Sequence, residues 1–541
     1  NGSAAANYGL NVVDNIGAVT HRGTINVDGD NNIAINVLAQ KAGAAVTTTG
    51  GSAITVGKAG DTGGSDGQPY TYRNYAVYAE GLNTQHAQVD LNSAIVLLSA
   101  GAIGVHARGD AQIDINPAST LSFENIKQMG YYAWGNKAKI NIGNAIINDN
   151  GQADSILFAV DHGAVFAGGT GAAASYQLTV SGDNATGIIA NGVDETTGTK
   201  TSLTTGTAKI FVNGENAVGV KVTGGAVGNI SDGGIVLQHN NTTAVLIDGR
   251  NYNIDGTIDT DELQTLVTSN ASVTSSAGQS GIVGYNVSHA GELNLSGNGI
   301  SLNGTNSTGI VLHDNGKATV AAPVTVSGTN NIGVDIQNNG ALTNNNLISV
   351  SGAVGSGNVG VRVGGTNAVV NTLGNVNASG GLAAVQLIGA GANLTVNGTG
   401  NHITASGGAD GVRMDAGAAS FTASNTVIDI SGSGAGINNN ADTSNINLNG
   451  VTINASNGPA IRTAVTFNAA GTNNTLNISG NGQGFAFMDA NGAPTTGNLT
   501  IDNGYTINGT GAGSVGILAR TAGNVSSGAT INMAVGAGSA I

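Results

Sequence analysis

Six polar residues recur every 24 to 27 positions along the chain: Asp335, Arg362, Gln386, Arg413, Asn438 and Arg462. Three of the eight arginines fall in this one series, in a protein with 17 Lys and Arg against 32 Asp and Glu and a formal net charge of −15. A guanidinium is a planar fork of donors that grips carboxylate, sulfate or phosphate through paired hydrogen bonds. If the series forms one column of a β-structure, arginines on alternate rungs stand about 10 Å apart, twice the strand spacing, with an amide between each pair. Such a row suits a long anionic partner, either a sulfated glycan or the acidic face of a matrix protein. The alternative is a ladder that only solubilises the surface.

Other groupings offer less. Cleavage of a polysaccharide needs paired carboxylates with a basic residue or calcium on one face, and Asp314 with Asp335, or Asp410 and Asp415 with Arg413, could supply them. Each of these columns is broken by Asn, Gln or Ala, so no catalytic residue is expected. Gly63-Gly64-Ser65-Asp66-Gly67 spells a nucleophile elbow but lacks the preceding strand and following helix, and reads as a flexible turn. The eight His are scattered and there is no Cys, so no zinc site, disulfide or thiol nucleophile is expected. Asp255, Asp259, Asp261 and Glu262 gather four carboxylates without the order of a calcium loop, and read as the solvated start of a helix. No metal and no cofactor is expected.

Two surface candidates remain. Arg108-Gly109-Asp110 spells the tripeptide that integrins recognise, although alignment with Gly104-Val105 makes Gly109 a turn glycine rather than a loop tip. Tyr70, Tyr72, Tyr75 and Tyr78 crowd four of the 11 Tyr into nine residues, with Tyr131, Tyr132 and Trp134 further on. These rings either stack on sugars or anchor a protein partner, or they seal an insertion against the body of the protein.

The elements that must position these groups are visible as a repeat. A small residue, an apolar residue, a variable residue and a second apolar or small residue recur at Gly187-Ile188, Gly219-Val220, Ala244-Val245, Gly281-Ile282 and Gly309-Ile310. The series continues at intervals of 24 to 27 through Gly333-Val334, Gly360-Val361, Ala384-Val385, Gly411-Val412, Gly436-Ile437, Ala460-Ile461 and Gly484-Phe485. Between these lie two further alternating segments, as in Asn393-Leu394-Thr395-Val396 and His402-Ile403-Thr404-Ala405. Three period-2 strands in each repeat, separated by Gly and Asn turns, predict one coil of an all-β, right-handed, three-sided parallel β-helix. The variable residue alternates away from the core, which puts Asp335 to Arg462 in one outward column. Gly or Ala at the start of the element is expected to let the backbone turn a corner.

Composition agrees with this architecture. The 541 residues include 88 Gly, 5 Pro and only 4% aromatic residues, which suits a narrow stacked core of small and β-branched side chains. Residues 1–541 read as one continuous solenoid with insertions near 57–75 and 251–276. In the second insertion, an acidic start followed by Leu263, Leu266 and Val267 predicts one or two helical turns over 259–267, covering outward Leu246, Val283 and Val311. The acidic balance repels nucleic acid and anionic membrane over most of the surface. No apolar run approaches the about 20 residues of a membrane helix. No signal segment is visible at Asn1, so an exported protein would have lost its own.

Cys-free, low-Pro coils rich in Gly and Asn, with a recurrent Gly-Val or Gly-Ile element, resemble the passenger domains of autotransporter adhesins of the pertactin-like and AIDA-type group. The resemblance covers nearly the whole chain. It implies export across the outer membrane through a C-terminal β-barrel, a bacterial surface or secreted location, and binding rather than catalysis. The partners it implies are host extracellular-matrix proteins such as fibronectin, glycans such as glycosaminoglycans, or a second copy of the chain in aggregation and biofilm. A polysaccharide-active enzyme on the same fold is the remaining alternative.

Overall fold

The computed structural model describes residues 7–29, 32–60, 74–117, 119–169, 176–252, 257–389, 391–397, 401–415, 419–440, 445–489 and 491–534. One coil shows how the sequence becomes structure. In Asn393–Asn397, His402–Ser406 and Asp410–Met414 apolar side chains alternate with polar ones. Alternation sends Leu394, Val396, Ile403, Ala405, Val412 and Met414 inward, where each is at most 1% exposed. Each strand then pairs in parallel with its counterpart one coil on: Leu394 with Phe421, Ile403 with Ile428 and Val412 with Ile437. Like residues therefore stack on like, and the three strands of successive coils build three parallel sheets.

The chain forms two compact units, Asn1–Asn298 and Gly299–Ile541. Both are parallel β-helices with the three-strand coil that the repeat predicts. In the first unit the sheet built from the Gly-apolar element has ten strands, from Asn7–Val13 to Val283–Ser288; in the second it has nine, from Thr308–Leu312 to Val515–Ala519. The described residues contain no helix.

The repeated glycine turns out to be a strand residue rather than a corner. Gly333 lies within Ile332–Ile336 and Gly360 within Val359–Val363. A Cβ on either would stand 2.5 Å from the carbonyl oxygen of the next coil, so what glycine permits there is close approach between coils. The left-handed corners are shared between other glycines, such as Gly380 (73°) and Gly450 (67°), and asparagine, at Asn425 (49°), Asn457 (69°) and Asn473 (55°). Others satisfy the buried backbone: Asn331 donates from Nδ2 to the carbonyls of Gly304 and Ser327, and its N–H donates to Oδ1 of Asn358.

Two expectations for the second insertion are corrected. The predicted helical turns over 259–267 are strands: Ile258–Glu262 pairs antiparallel with Arg250–Tyr252, and Thr265–Ser269 is an ordinary coil strand pairing with Val227–Ile230 and Gly291–Leu295. The spacing of Leu263, Leu266 and Val267 suits a helix locally, but pairing with the coils on either side satisfies the backbone of 265–269 and buries Val267 completely. The register also moves the repeat from Gly281-Ile282 to Gly284-Tyr285, because Val245 pairs with Tyr285 and Leu246 with Asn286. Val283 stands beside Thr243 instead, so it does not share a column with Leu246. The departure from the coil is a short hairpin that places Tyr252 over Lys221 and Leu263 against Gly225.

Candidate functional site

The six residues of the arginine series stand in one column. Asp335 pairs with Arg362, Arg362 with Gln386, Gln386 with Arg413, Arg413 with Asn438 and Asn438 with Arg462. The column is knitted to itself. Arg362 donates from Nε and Nη2 to the two carboxylate oxygens of Asp335 at 2.8 and 2.6 Å, and Gln337 donates to the same carboxylate at 2.6 Å. Arg413 donates from Nε to Asp415 at 2.8 Å and from Nη1 to Asp410 at 3.4 Å. Gln386 adds a bond to Asp415, and Asn438 one to Asp410.

This arrangement has an electrostatic logic. Asp335 and Asp410 are 3% and 4% exposed, and a buried carboxylate needs a partner. For Asp415, burial alone would raise the pKa, but hydrogen bonds from Arg413 and Gln386 and the guanidinium charge hold it below the usual carboxylate value. Two arginines face three aspartates, and with Arg462 the three guanidinium and three carboxylate charges sum to zero. Arg462, partly exposed at its end, has no partner among the described residues. Asp314 lies apart from Asp335, its carboxylate 2.7 Å from Nδ1 of His313. The carboxylates considered for cleavage are thus engaged by Arg362, Arg413 and His313.

The aromatic candidates separate. Tyr70 and Tyr72 lie outside the described residues, as do Ser65 and its neighbours and Asp255; Asp261 and Glu262 are exposed in the hairpin. Tyr78, His106 and Tyr132 occupy one outward column of the first unit, with Tyr75 beside them. His106 stacks on Tyr132 at 4.6 Å and on Tyr75 at 5.7 Å. Ile103, Met129, Tyr132, Ala159 and Ile189 form a second apolar cluster on this outward side, whereas Tyr131 points inward and stacks on Phe158. His106 sits there with neither ring nitrogen partnered among the described residues, and burial pushes its pKa down to about 3.

The integrin-like tripeptide runs off the end of the strand Ile103–Gly109. Arg108 lies 4.9 Å from the ring of Trp134 and 3.6 Å from Glu80. Asp110 is held by His86 at 2.8 Å and Lys137 at 3.4 Å. Gly109 has φ of 59°, and a Cβ would run into the carbonyl of Gly81, so the corner rather than a ligand accounts for the glycine.

Another outward column, not among the residues expected from sequence to bind, stands in the second unit. Asp429, Asn454, Asn477, Asn508 and Asn532 are neighbours in register. Each asparagine donates from Nδ2 to the oxygen one coil back: Asn532 to Asn508, Asn508 to Asn477, Asn477 to Asn454, and Asn454 to Asp429 at 2.7 Å. The signal was present as a second repeat, Thr-Ile-Asn-Ala-Ser at 452–456, Thr-Leu-Asn-Ile-Ser at 475–479 and Thr-Ile-Asn-Gly-Thr at 506–510. A groove of about 390 Å³ runs along this column across five coils, lined by Asp429, Asn454, Asn477 and Asn508 together with Ser431, Ser456 and Ser479.

No family model matches the chain, and no curated protein matches it in sequence. Among solved structures, it is similar to a chain in the cryo-EM structure of the Vag8–C1 inhibitor complex, at 11% identity and a TM-score of 0.29, the match covering 98% of this chain and 99% of that one.

Proposed function

We propose that the chain is the exported ligand-binding region of a bacterial surface adhesin, which holds a matrix protein or a glycan along the outward columns of its coils. The observation that carries this reading is the unbroken register from Asp335 to Arg462. A column fixed by backbone pairing presents its recognition groups in a rigid line, which spares a long partner part of the ordering cost of binding.

The neutral column narrows where an anionic partner is read. Arg362 and Arg413 are committed to carboxylates, so replacing them tests the column's own stability as much as binding. Arg462→Glu changes only the uncommitted end. On an array of matrix proteins and glycosaminoglycans, the purified chain is expected to bind at least one component in a salt-sensitive way, and Arg462→Glu to weaken that binding several-fold with an unchanged melting temperature. Unchanged binding removes Arg462 from the site. An array with no bound component, protein or glycan, overturns the adhesin reading itself.

A further inference from the structure

We infer that the groove along the asparagine ladder is a binding site for a linear, uncharged polysaccharide lying parallel to the stack of coils; this rests on the adhesin reading above and names one ligand class and its place. The groove crosses Thr404, Asp429, Asn454, Asn477 and Asn508, one residue from each of five consecutive coils. Coils repeat at about 4.8 Å, close to the advance per sugar of an extended chain of equatorially linked pyranoses. Successive sugars therefore meet equivalent groups, which a folded or branched ligand could not do.

The chemistry of the lining selects the ligand. A primary amide has two N–H donors and an acceptor oxygen with two lone pairs. The ladder uses one donor and one lone pair of each inner asparagine, leaving a donor and an acceptor per coil for hydroxyl groups. The serine column adds hydroxyls, and those of Ser431 and Ser479 have no partner among the described residues. The lining contains no Lys or Arg, and Asp429 is its one charged side chain, so an anionic glycan is repelled rather than drawn in. It contains no aromatic residue either, so recognition there rests on hydrogen bonds to hydroxyl groups rather than on ring stacking. Because the ladder fixes every amide in one orientation, the polymer enters with a defined direction.

The test titrates the purified chain with cellohexaose, xylohexaose and mannohexaose, with heparin and fibronectin in parallel. Two variants are compared. Ser479→Arg fills the groove and leaves the ladder intact; Asn454→Leu with Asn477→Leu removes two rungs at nearly constant shape. At least one neutral hexaose is expected to bind, and each variant to weaken it tenfold or more while circular dichroism and heparin or fibronectin binding stay as they were. If heparin or fibronectin binds but no hexaose does, the groove assignment is wrong and the adhesin reading stands. Hexaose binding that survives Ser479→Arg also overturns the assignment. So does self-association that Ser479→Arg abolishes without any hexaose binding, because the occupant is then a second copy.

Discussion

Asp335 tolerates 3% exposure because Arg362 meets both of its carboxylate oxygens. Removing one partner of a buried ion pair costs about 3–5 kcal/mol, whereas replacing both with apolar residues of similar volume is often near neutral. Arg362 is itself 29% exposed, so Arg362→Ala is expected to cost about 3 kcal/mol in urea unfolding, and Arg362→Met with Asp335→Leu to recover most of it. A single change costing under about 1 kcal/mol, the value of an exposed pair, would sink this account. Asp415 and His106 both contribute to the acid response. Asp415 titrates lower in the folded chain than in the unfolded one, so its contribution is present above about pH 3.9 and lost as pH falls through the lower folded value. His106 is also depressed, to about 3. Between about pH 6.5 and that value the unfolded chain takes up a proton that the folded chain refuses, and stability falls by about 1.4 kcal/mol per pH unit. His106→Phe should flatten that stretch of the pH profile and leave the fall below pH 4; an unchanged profile would mean that His106 is protonated in the fold.

At the scale of elements, the hairpin Arg250–Tyr252 with Ile258–Glu262 shows what a departure from the coil can do. Asp248 holds it through Arg250, at 2.7 Å to Nη2, and through the Tyr252 hydroxyl at 2.8 Å. The Tyr252 ring then sits 3.7 Å from Nζ of Lys221. Burial pulls the Lys221 ammonium down to about 8, against the attraction of Asp248. With a folded value below the unfolded one of about 10.4, Lys221 adds stability only at high pH and loses it as pH falls through about 8. Tyr252→Ala removes the cover and rehydrates the amine, so the Lys221 pKa is expected to rise toward 10.4, followed by NMR titration of the side chain. A value that stays near 8 would show that the strands, not the hairpin, exclude the water. Deletion of 255–267 would test something else, because it removes Val267 and with it a strand of the coil.

At the scale of the whole molecule, a stack in which each coil touches only its neighbours has stability that is close to a sum of local terms. The strands Val525–Ser527 and Thr530–Met533 are exposed throughout, whereas Ile428, Ile453 and Leu476 on inner coils are fully buried. Amide exchange is therefore expected to be at least a hundredfold faster at 525–533 than at 428–430, 453–455 and 476–478. Uniform protection would contradict a nearest-neighbour stack. Far-ultraviolet circular dichroism should be that of β-structure with no helical minimum pair, since the described residues contain strands alone. A net charge of −15 favours neutral or locally read ligands over general attraction to anions.

What the sequence by itself determined is what its regular period carries, most clearly from Gly309 to Gly484. Alternation within Asn393-Leu394-Thr395-Val396 sets which side chains face in, and the recurrence of Gly-apolar elements sets which residues stack, so the parallel β-helix and the column from Asp335 to Arg462 follow from spacing. The amide ladder from Asn454 to Asn532 was legible on the same ground, in the Thr-apolar-Asn repeat. Tertiary structure alone decided the partners. Asp410 and Asp415 are three residues before and two after Arg413, and only the corner geometry turns both carboxylates onto one guanidinium. It also decided 259–267, where helical spacing lost to strands already waiting on the neighbouring coils, because an edge of unpaired N–H and C=O groups outweighs a weak local preference. The groove beside the ladder is likewise a property of five coils together: no single strand contains it, since each supplies one amide and the stacking supplies the line.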